Sequence, residues 1–232
     1  LLSGNKATGK NILARDLAYL FGVDCHEISF HVDVSANELI SEKGILRVCA
    51  EEGSFGVLDE INMAKSECLS ILHSVLDFRR TVDLSGGQRI TLKDSTRFIG
   101  TMNYGYMGTK ELNEALISRF QVISIPPVTE ELIDSILKMK FPDIKEDISN
   151  NLALFFVKLQ EKARTAEITT KAVDLRGLLD SLNTIKLGLD FYSAMRMGII
   201  NKAFDDFEER VIKDQLIYIF PKNLKNKEIF HF

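Results

Sequence analysis

The residues with the clearest chemical potential stand at the very start of the chain. Gly4-Asn5-Lys6-Ala7-Thr8-Gly9-Lys10-Asn11 matches the pattern G-x-x-x-x-G-K, preceded by the strand-like Leu1-Leu2-Ser3 and followed by helical periodicity. Glycines at these positions let backbone N–H groups turn toward a polyphosphate, and the helix start beyond adds partial positive charge. Lys10 is placed to reach the β- and γ-phosphates of a nucleotide. A glycine turn that merely leads into a helix is the competing reading. Asn11 stands where the pattern asks for Ser or Thr, whose hydroxyl completes a magnesium shell. An asparagine carbonyl is also a hard oxygen ligand, but longer and differently aimed, so weaker magnesium binding is expected here.

Further along, Phe55-Gly56-Val57-Leu58-Asp59-Glu60 is an apolar run that closes in two acids. Burial of such a strand fixes its acids at the carboxyl edge, where open α/β sheets bind ligands. Asp59 suits a magnesium ion, and Glu60 the activation of a water. Phe98-Ile99-Gly100-Thr101-Met102-Asn103 is a second such run ending in an amide. Asn103 there suits a hydrogen bond to a γ-phosphate or to the attacking water, or else it caps the turn at 104–105. Arg119, at the end of an amphipathic stretch, suits the γ-phosphate of a neighbouring subunit, or simply the negative end of its helix. Arg176 suits closure of a second domain over a nucleotide, with a plain surface arginine as the competing reading.

Positioning these groups requires a parallel sheet, and the first half of the chain has the pattern of one. Short β-rich runs at 1–3, 25–30, 55–58, 98–102 and 122–125 alternate with amphipathic stretches at 11–21, 36–51 (broken near Gly44), 66–78 and 112–120. In the first of these helices Ile12, Leu13, Leu17 and Leu20 are expected on one buried face. Residues 81–92, with Gly86-Gly87 inside, are expected to form a β-hairpin. After Pro126-Pro127 strand signals nearly vanish, and 129–140, 147–164, 174–187 and 191–209 have helical period. The expected organisation is an α/β core over 1–127, a helical domain over 128–210 and a tail over 211–232.

Composition narrows the function classes. With 45% hydrophobic and 27% charged residues among 232, the chain has both a core and a solvated surface, which excludes a disordered or collagen-like protein. No run approaches the ~18 to 20 uninterrupted apolar residues of a membrane span. A net charge of −4 argues against a dedicated nucleic-acid binder. Cys25, Cys49 and Cys68 lack metal-ligand spacing and their odd number does not suggest a disulfide framework, so a reducing cytoplasm is expected and Cys25 and Cys68 read as core thiols. The histidines, His26, His31, His73 and His231, are too dispersed for a metal site. Because the chain opens on Leu1 within a strand, a further segment is expected before it; no signal peptide is visible.

Together these motifs resemble those of AAA+ ATPases: Walker A at 4–11, Walker B at 57–60, sensor 1 at Asn103, the arginine finger at Arg119 and sensor 2 at Arg176, in family order. Within that superfamily the chain is similar to the MoxR branch, of the CbbQ/NorQ/GvpN type. Asp59-Glu60-Ile61-Asn62-Met63-Ala64 resembles a block of that branch, as does the L-x-E-A-L-x-x-R-F pattern at 112–120. Leu175-Arg176-Gly177-Leu178-Leu179, continuing through Gly188, Ala194, Asn201-Lys202 and Asp205-Asp206, resembles its lid. The resemblance implies a P-loop core of five parallel strands with a C-terminal helical lid. It also implies a ring, by analogy a hexamer, with ATP and Mg2+ between subunits, and work on a client protein alongside a von Willebrand factor A domain partner. On this resemblance Gly4, Asn5, Lys6, Ala7, Thr8, Gly9, Lys10, Asn11, Ile12 and Arg176 contact nucleotide, and Asn11 and Asp59 hold the metal. Glu60, Asn103, Lys10 and Arg119 then serve the reaction. The hairpin at 81–92 falls where the branch has an inserted hairpin, and Arg79, Arg80 and Arg89 are expected to make it a cationic client surface, or else it is a solvated loop. Two rival functions remain: a nucleotide-binding scaffold with weak or no hydrolysis, and a DNA-directed or McrB-like motor.

Overall fold

The computed structural model describes residues 1–6, 8–84, 86–103 and 112–231. Ala7 of the phosphate-loop set, and the turn expected at 104–105, lie outside the described residues. The chain divides into two compact units, Leu1–Pro127 and Val128–Phe232.

The first unit runs β1 (Leu2–Gly4), α1 (Lys10–Leu20), β2 (Cys25–Ser29), α2 (Ala36–Ile40), α3 (Ile45–Glu52), β3 (Phe55–Asp59), α4 (Ser66–Leu76), β4 (Thr81–Asp83), β5 (Arg89–Thr91), β6 (Arg97–Asn103), α5 (Glu114–Ile117) and β7 (Ile123–Ser124). Five strands form one sheet in the order β2-β3-β6-β1-β7, and every neighbouring pair is parallel. A strand deep in such a sheet is apolar along its length, as 55–58 of β3 is, with every residue buried. Because β1, β3 and β6 are adjacent and run the same way, the phosphate loop, the acidic pair and Asn103 emerge at one edge. The register sets Gly4 beside Asn103 and Leu58 beside Gly100.

Helix α1 departs from expectation. Its buried positions are Lys10, Ala14 and Ala18, while Ile12, Leu13 and Leu20 are exposed. Methyl-sized side chains let the helix backbone approach its neighbours closely, which the larger residues would prevent. The helix expected over 112–120 shortens to α5, capped by the Asn113 side chain, with the turns at 118–120 closed by Arg119 N–H to Leu116 O and Phe120 N–H to Ile117 O. Strands β4 and β5 pair antiparallel as a separate two-stranded sheet. The cationic surface expected there is not free. Arg79 chelates Asp77, Arg89 donates to Asp83 at 2.6 Å, and Arg80 donates to the Lys93 and Thr96 carbonyls. Cys49 and Cys68 are buried, whereas Cys25, expected in the core, lies partly exposed on edge strand β2. Burial pushes the Cys49 thiol up to about 11, as suits a packing residue rather than a reactive one.

The second unit is helical: α6 (Glu130–Lys140), α7 (Glu146–Arg164), α8 (Leu175–Lys186), α9 (Phe191–Gly198) and α10 (Asp206–Ile219). Thr129, Asp174, Asp190 and Asp205 cap four of these helices through side-chain oxygens, satisfying N–H groups the helices cannot bond themselves. The single helix expected over 191–209 is two, because α9 ends at Gly198 and Asp205 starts α10 afresh. Of the stretch 211–232, read from the sequence as a tail, residues 211–231 are integral to this unit. Helix α10 runs past 210 with Ile212 and Leu216 buried, and Ile229 and Phe230 are buried as well. The Lys145 N–H bonds to Ile229 O at 2.9 Å, tying the end of the chain to the start of α7.

Helices α8 and α9 meet through glycine. A Cβ at Gly177 would sit 2.1 Å from the Gly198 carbonyl oxygen, a separation no packed structure tolerates. Gly177→Ala is therefore expected to force these helices apart and destabilise the second unit by about 1–3 kcal/mol, read as an earlier thermal unfolding transition. An unchanged transition would contradict this packing.

Candidate nucleotide site

The loop between β1 and α1 closes on its own lysine. Gly9 adopts φ 83, a left-handed conformation that a side chain would strain, and it turns the chain into α1. No side chain caps α1, so its first N–H groups remain available to an anion. Lys10 is buried, and its ammonium donates to Asn5 O at 2.6 Å, Gly4 O at 3.2 Å and Thr8 Oγ1 at 3.3 Å. The Thr8 hydroxyl in turn donates to Asn5 O at 2.9 Å, bracing the turn. Burial pushes the Lys10 ammonium down from its ordinary value, and the nearby Asp59 and Glu60 carboxylates oppose that shift. Among the described residues the ammonium bonds only neutral oxygens. A buried cation held this way, above an uncapped helix start, fits a phosphate chain.

The acidic edge is held by β6. The Thr101 hydroxyl donates to Asp59 Oδ1 at 2.5 Å and accepts from the Glu60 N–H at 3.3 Å, with Thr101 fully buried. Glu60 itself has φ 54 and ψ 42, a left-handed conformation that costs a residue with a side chain about 1–3 kcal/mol. That turn redirects the chain so that Asn103 Nδ2 donates to Glu60 Oε1 at 3.3 Å. Asn62, also buried, completes the network by donating from Nδ2 to Asn103 O at 3.0 Å. One carboxylate is thus anchored by a hydroxyl and the next by an amide. Among the described residues no donor bonds the second oxygen of Asp59, an arrangement that suits a metal ion. The hard carboxylate oxygens of Asp59 suit magnesium.

The remaining candidates lie outside this network. Asn5 and Lys6 are exposed at the loop tip and Ile12 is exposed on α1. Asn11 turns its Nδ2 to Glu27 Oε1 at 3.0 Å. Arg119 donates from Nε to His73 O at 3.3 Å and also to Ala115 O, and one of its nitrogens lies 4.0 Å from Asp77 Oδ2. Arg79 chelates that same Asp77 and, with Arg119 assisting, holds its carboxyl below the usual carboxylate range. Arg176 belongs to the second unit, exposed in the first turn of α8, its N–H bonded to Asp174 Oδ1 at 3.0 Å. Sequence reasoning passed over Thr101, although it shares a face of β6 with Asn103 by the two-residue period of a strand. It also passed over Glu27, Asp77 and the bond from Asn62, which join residues far apart in the chain.

The sheet order, the loop and the acidic edge define a P-loop α/β nucleotide-binding fold of the AAA+ type. The chain belongs to the AAA domain family, dynein-related subfamily, whose model matches residues 1–120. It is similar to the uncharacterized protein YojN of Bacillus subtilis (strain 168), 30% identical over 92% of this chain and 75% of that one. An uncharacterized protein of Staphylococcus haemolyticus is 29% identical over 93% of this chain and 88% of its own. Among solved structures, a chain of Hsp104 in a closed state with ATPγS and FITC casein aligns with 61% of this chain at 17% identity and a TM-score of 0.48, and the alignment spans 31% of that chain.

The buried Thr101 hydroxyl serves two partly buried polar partners, so its loss leaves both under-bonded. Thr101→Val is expected to destabilise the first unit by about 1–3 kcal/mol, measured by chemical denaturation. A variant as stable as the parent would show that the hydroxyl does not hold the acidic edge.

Proposed function

We propose that this protein hydrolyses ATP as one subunit of a ring and uses the energy to remodel or activate a client protein. The observation that supports this best is the clamped Asp59-Glu60 pair, bonded to Thr101 and Asn103 at the same sheet edge as the Lys10 loop. Lys10 and the loop N–H groups grip the β- and γ-phosphates, and Asp59 with Asn11 holds magnesium, which when bound neutralises charge on those phosphates. Glu60 takes a proton from water as the water oxygen bonds to the γ-phosphorus. The bond from that phosphorus to the β–γ bridging oxygen breaks, releasing ADP and phosphate. Asn103 fixes the Glu60 carboxylate through its amide. Arg119 serves the neighbouring subunit's γ-phosphate. In this subunit it bonds the His73 and Ala115 carbonyls and shares Asp77 with Arg79, contacts it would exchange for that phosphate. Arg176 reports nucleotide occupancy to the helical unit.

The finer reading places the chain in the MoxR branch, as a hexameric, cytoplasmic activase or chaperone of the CbbQ/NorQ type with a von Willebrand factor A domain partner. Its support is the three sequence blocks at 59–64, 112–120 and 175–206. A nucleotide-dependent scaffold with slow hydrolysis is the second reading, favoured by Asn11 in place of a hydroxyl.

Because one arginine comes from the next subunit, ATPase rate per subunit is expected to climb with protein concentration. Arg119→Ala is expected to lower that rate about a thousandfold or more while ATP still binds. A concentration-independent rate, or a fully active Arg119→Ala, would remove Arg119 from its role in trans.

A further inference from the structure

One contact beside the phosphate loop belongs to no motif. The Asn11 side chain, at the first turn of α1, donates from Nδ2 to Glu27 Oε1 at 3.0 Å. The other oxygen of Glu27 accepts from Arg15 Nε at 2.9 Å and forms an ion pair with the same guanidinium. Glu27 lies on β2 opposite Val57 of β3, two residues before Ser29, which lies opposite Asp59. The chain of contacts Arg15–Glu27–Asn11 therefore runs along the flank of the acidic strand.

We infer that Glu27, fixed by Arg15, is a positioning residue that orients the Asn11 amide so that its carbonyl oxygen is presented as a magnesium ligand in place of the usual hydroxyl. A hydroxyl needs no such device, because its proton rotates freely away from the cation and leaves the oxygen as the ligand. A carboxamide is two-faced, with an acceptor on one edge and a donor on the other. Only the acceptor edge can meet a cation, and the donor edge would repel it. An ionised carboxylate accepts hydrogen bonds and donates none, so Glu27 forces the NH2 edge toward itself. Among the described residues no donor bonds Asn11 Oδ1, which leaves that oxygen for a metal. The carboxylate on the far edge also raises electron density on the oxygen, the effect that outer-shell carboxylates have on metal ligands. The glutamate's remaining charge is met by Arg15. This inference rests on the nucleotide reading above and specifies how this chain meets the metal without Ser or Thr.

The test is the affinity for a fluorescent, non-hydrolysable ATP analogue in saturating magnesium, divided by its affinity in EDTA. Glu27→Ala is expected to lower that ratio about tenfold, with the EDTA affinity retained. Glu27→Gln, whose amide oxygen still accepts from Asn11 Nδ2, should stay closer to the parent than to Glu27→Ala. In an Asn11→Thr background, where the ligand needs no orienting, Glu27→Ala should change the ratio by less than about twofold. An unchanged ratio in Glu27→Ala overturns the inference. So does an equal fall in the Asn11→Thr background, or a loss of affinity that is the same in EDTA. A parent protein that binds the analogue with no magnesium dependence overturns this inference and leaves the nucleotide site standing. A parent protein that binds no analogue under either condition overturns the nucleotide reading itself.

Discussion

The hydroxyl of Thr101, shared between the Asp59 carboxylate and the Glu60 N–H, is the joint on which the candidate site depends. It sits between two parallel strands, β3 and β6, whose side chains at this edge would otherwise be placed only by backbone register. By bonding one acid through its side chain and the next through its backbone, it sets both with a single atom. Glu60 then occupies a left-handed conformation that its own side chain disfavours. Asn103 and Asn62 complete the restraint, one on the Glu60 carboxylate and the other on the Asn103 backbone. Such bonds restrain one another, and breaking one exposes the cost of the others; among the described residues the buried Asn62 Oδ1 is the member atom left without a partner.

The phosphate loop works by the opposite principle. Its lysine bonds only neutral oxygens of the loop itself, and the helix beneath it begins without a side-chain cap. Acidic groups nearby sustain the ammonium's charge without pairing with it. The site therefore combines a fixed acidic edge with a cationic cradle whose bonds a phosphate can replace. The asymmetry suits a ligand that arrives with its own negative charge and metal.

Much of this was legible in the sequence because strands buried on both faces announce themselves as apolar runs, and the polar residues that end them stand out. The run before Asp59-Glu60 is buried throughout; the run before Asn103 is apolar although Phe98, Ile99 and Met102 are only partly buried, and the switch to helical period after Pro127 is as plain. The buried face of α1 was misread because large apolar residues outweigh alanine in any periodicity, although only Ala14 and Ala18 are small enough to close on the core. The end of α9 was missed because a glycine in a helical pattern marks a close contact only when its partner, here Gly177, is known. Thr101, Glu27 and Asp77 escaped for a common reason. Each acts on a residue from a different strand or helix, and no local pattern records which side chains the sheet order brings together.

We propose that Glu60, held by Asn103 and by the Thr101 joint, is the base for water attack on bound ATP. The most direct measurement compares ATP binding with ATP turnover in Glu60→Gln, which keeps the shape of the side chain and removes its basicity. ATP affinity close to the parent's is expected, with hydrolysis slowed about a hundredfold or more. Hydrolysis at the parent's rate would contradict it, and so would loss of ATP binding, which would make Glu60 part of the cradle rather than the base.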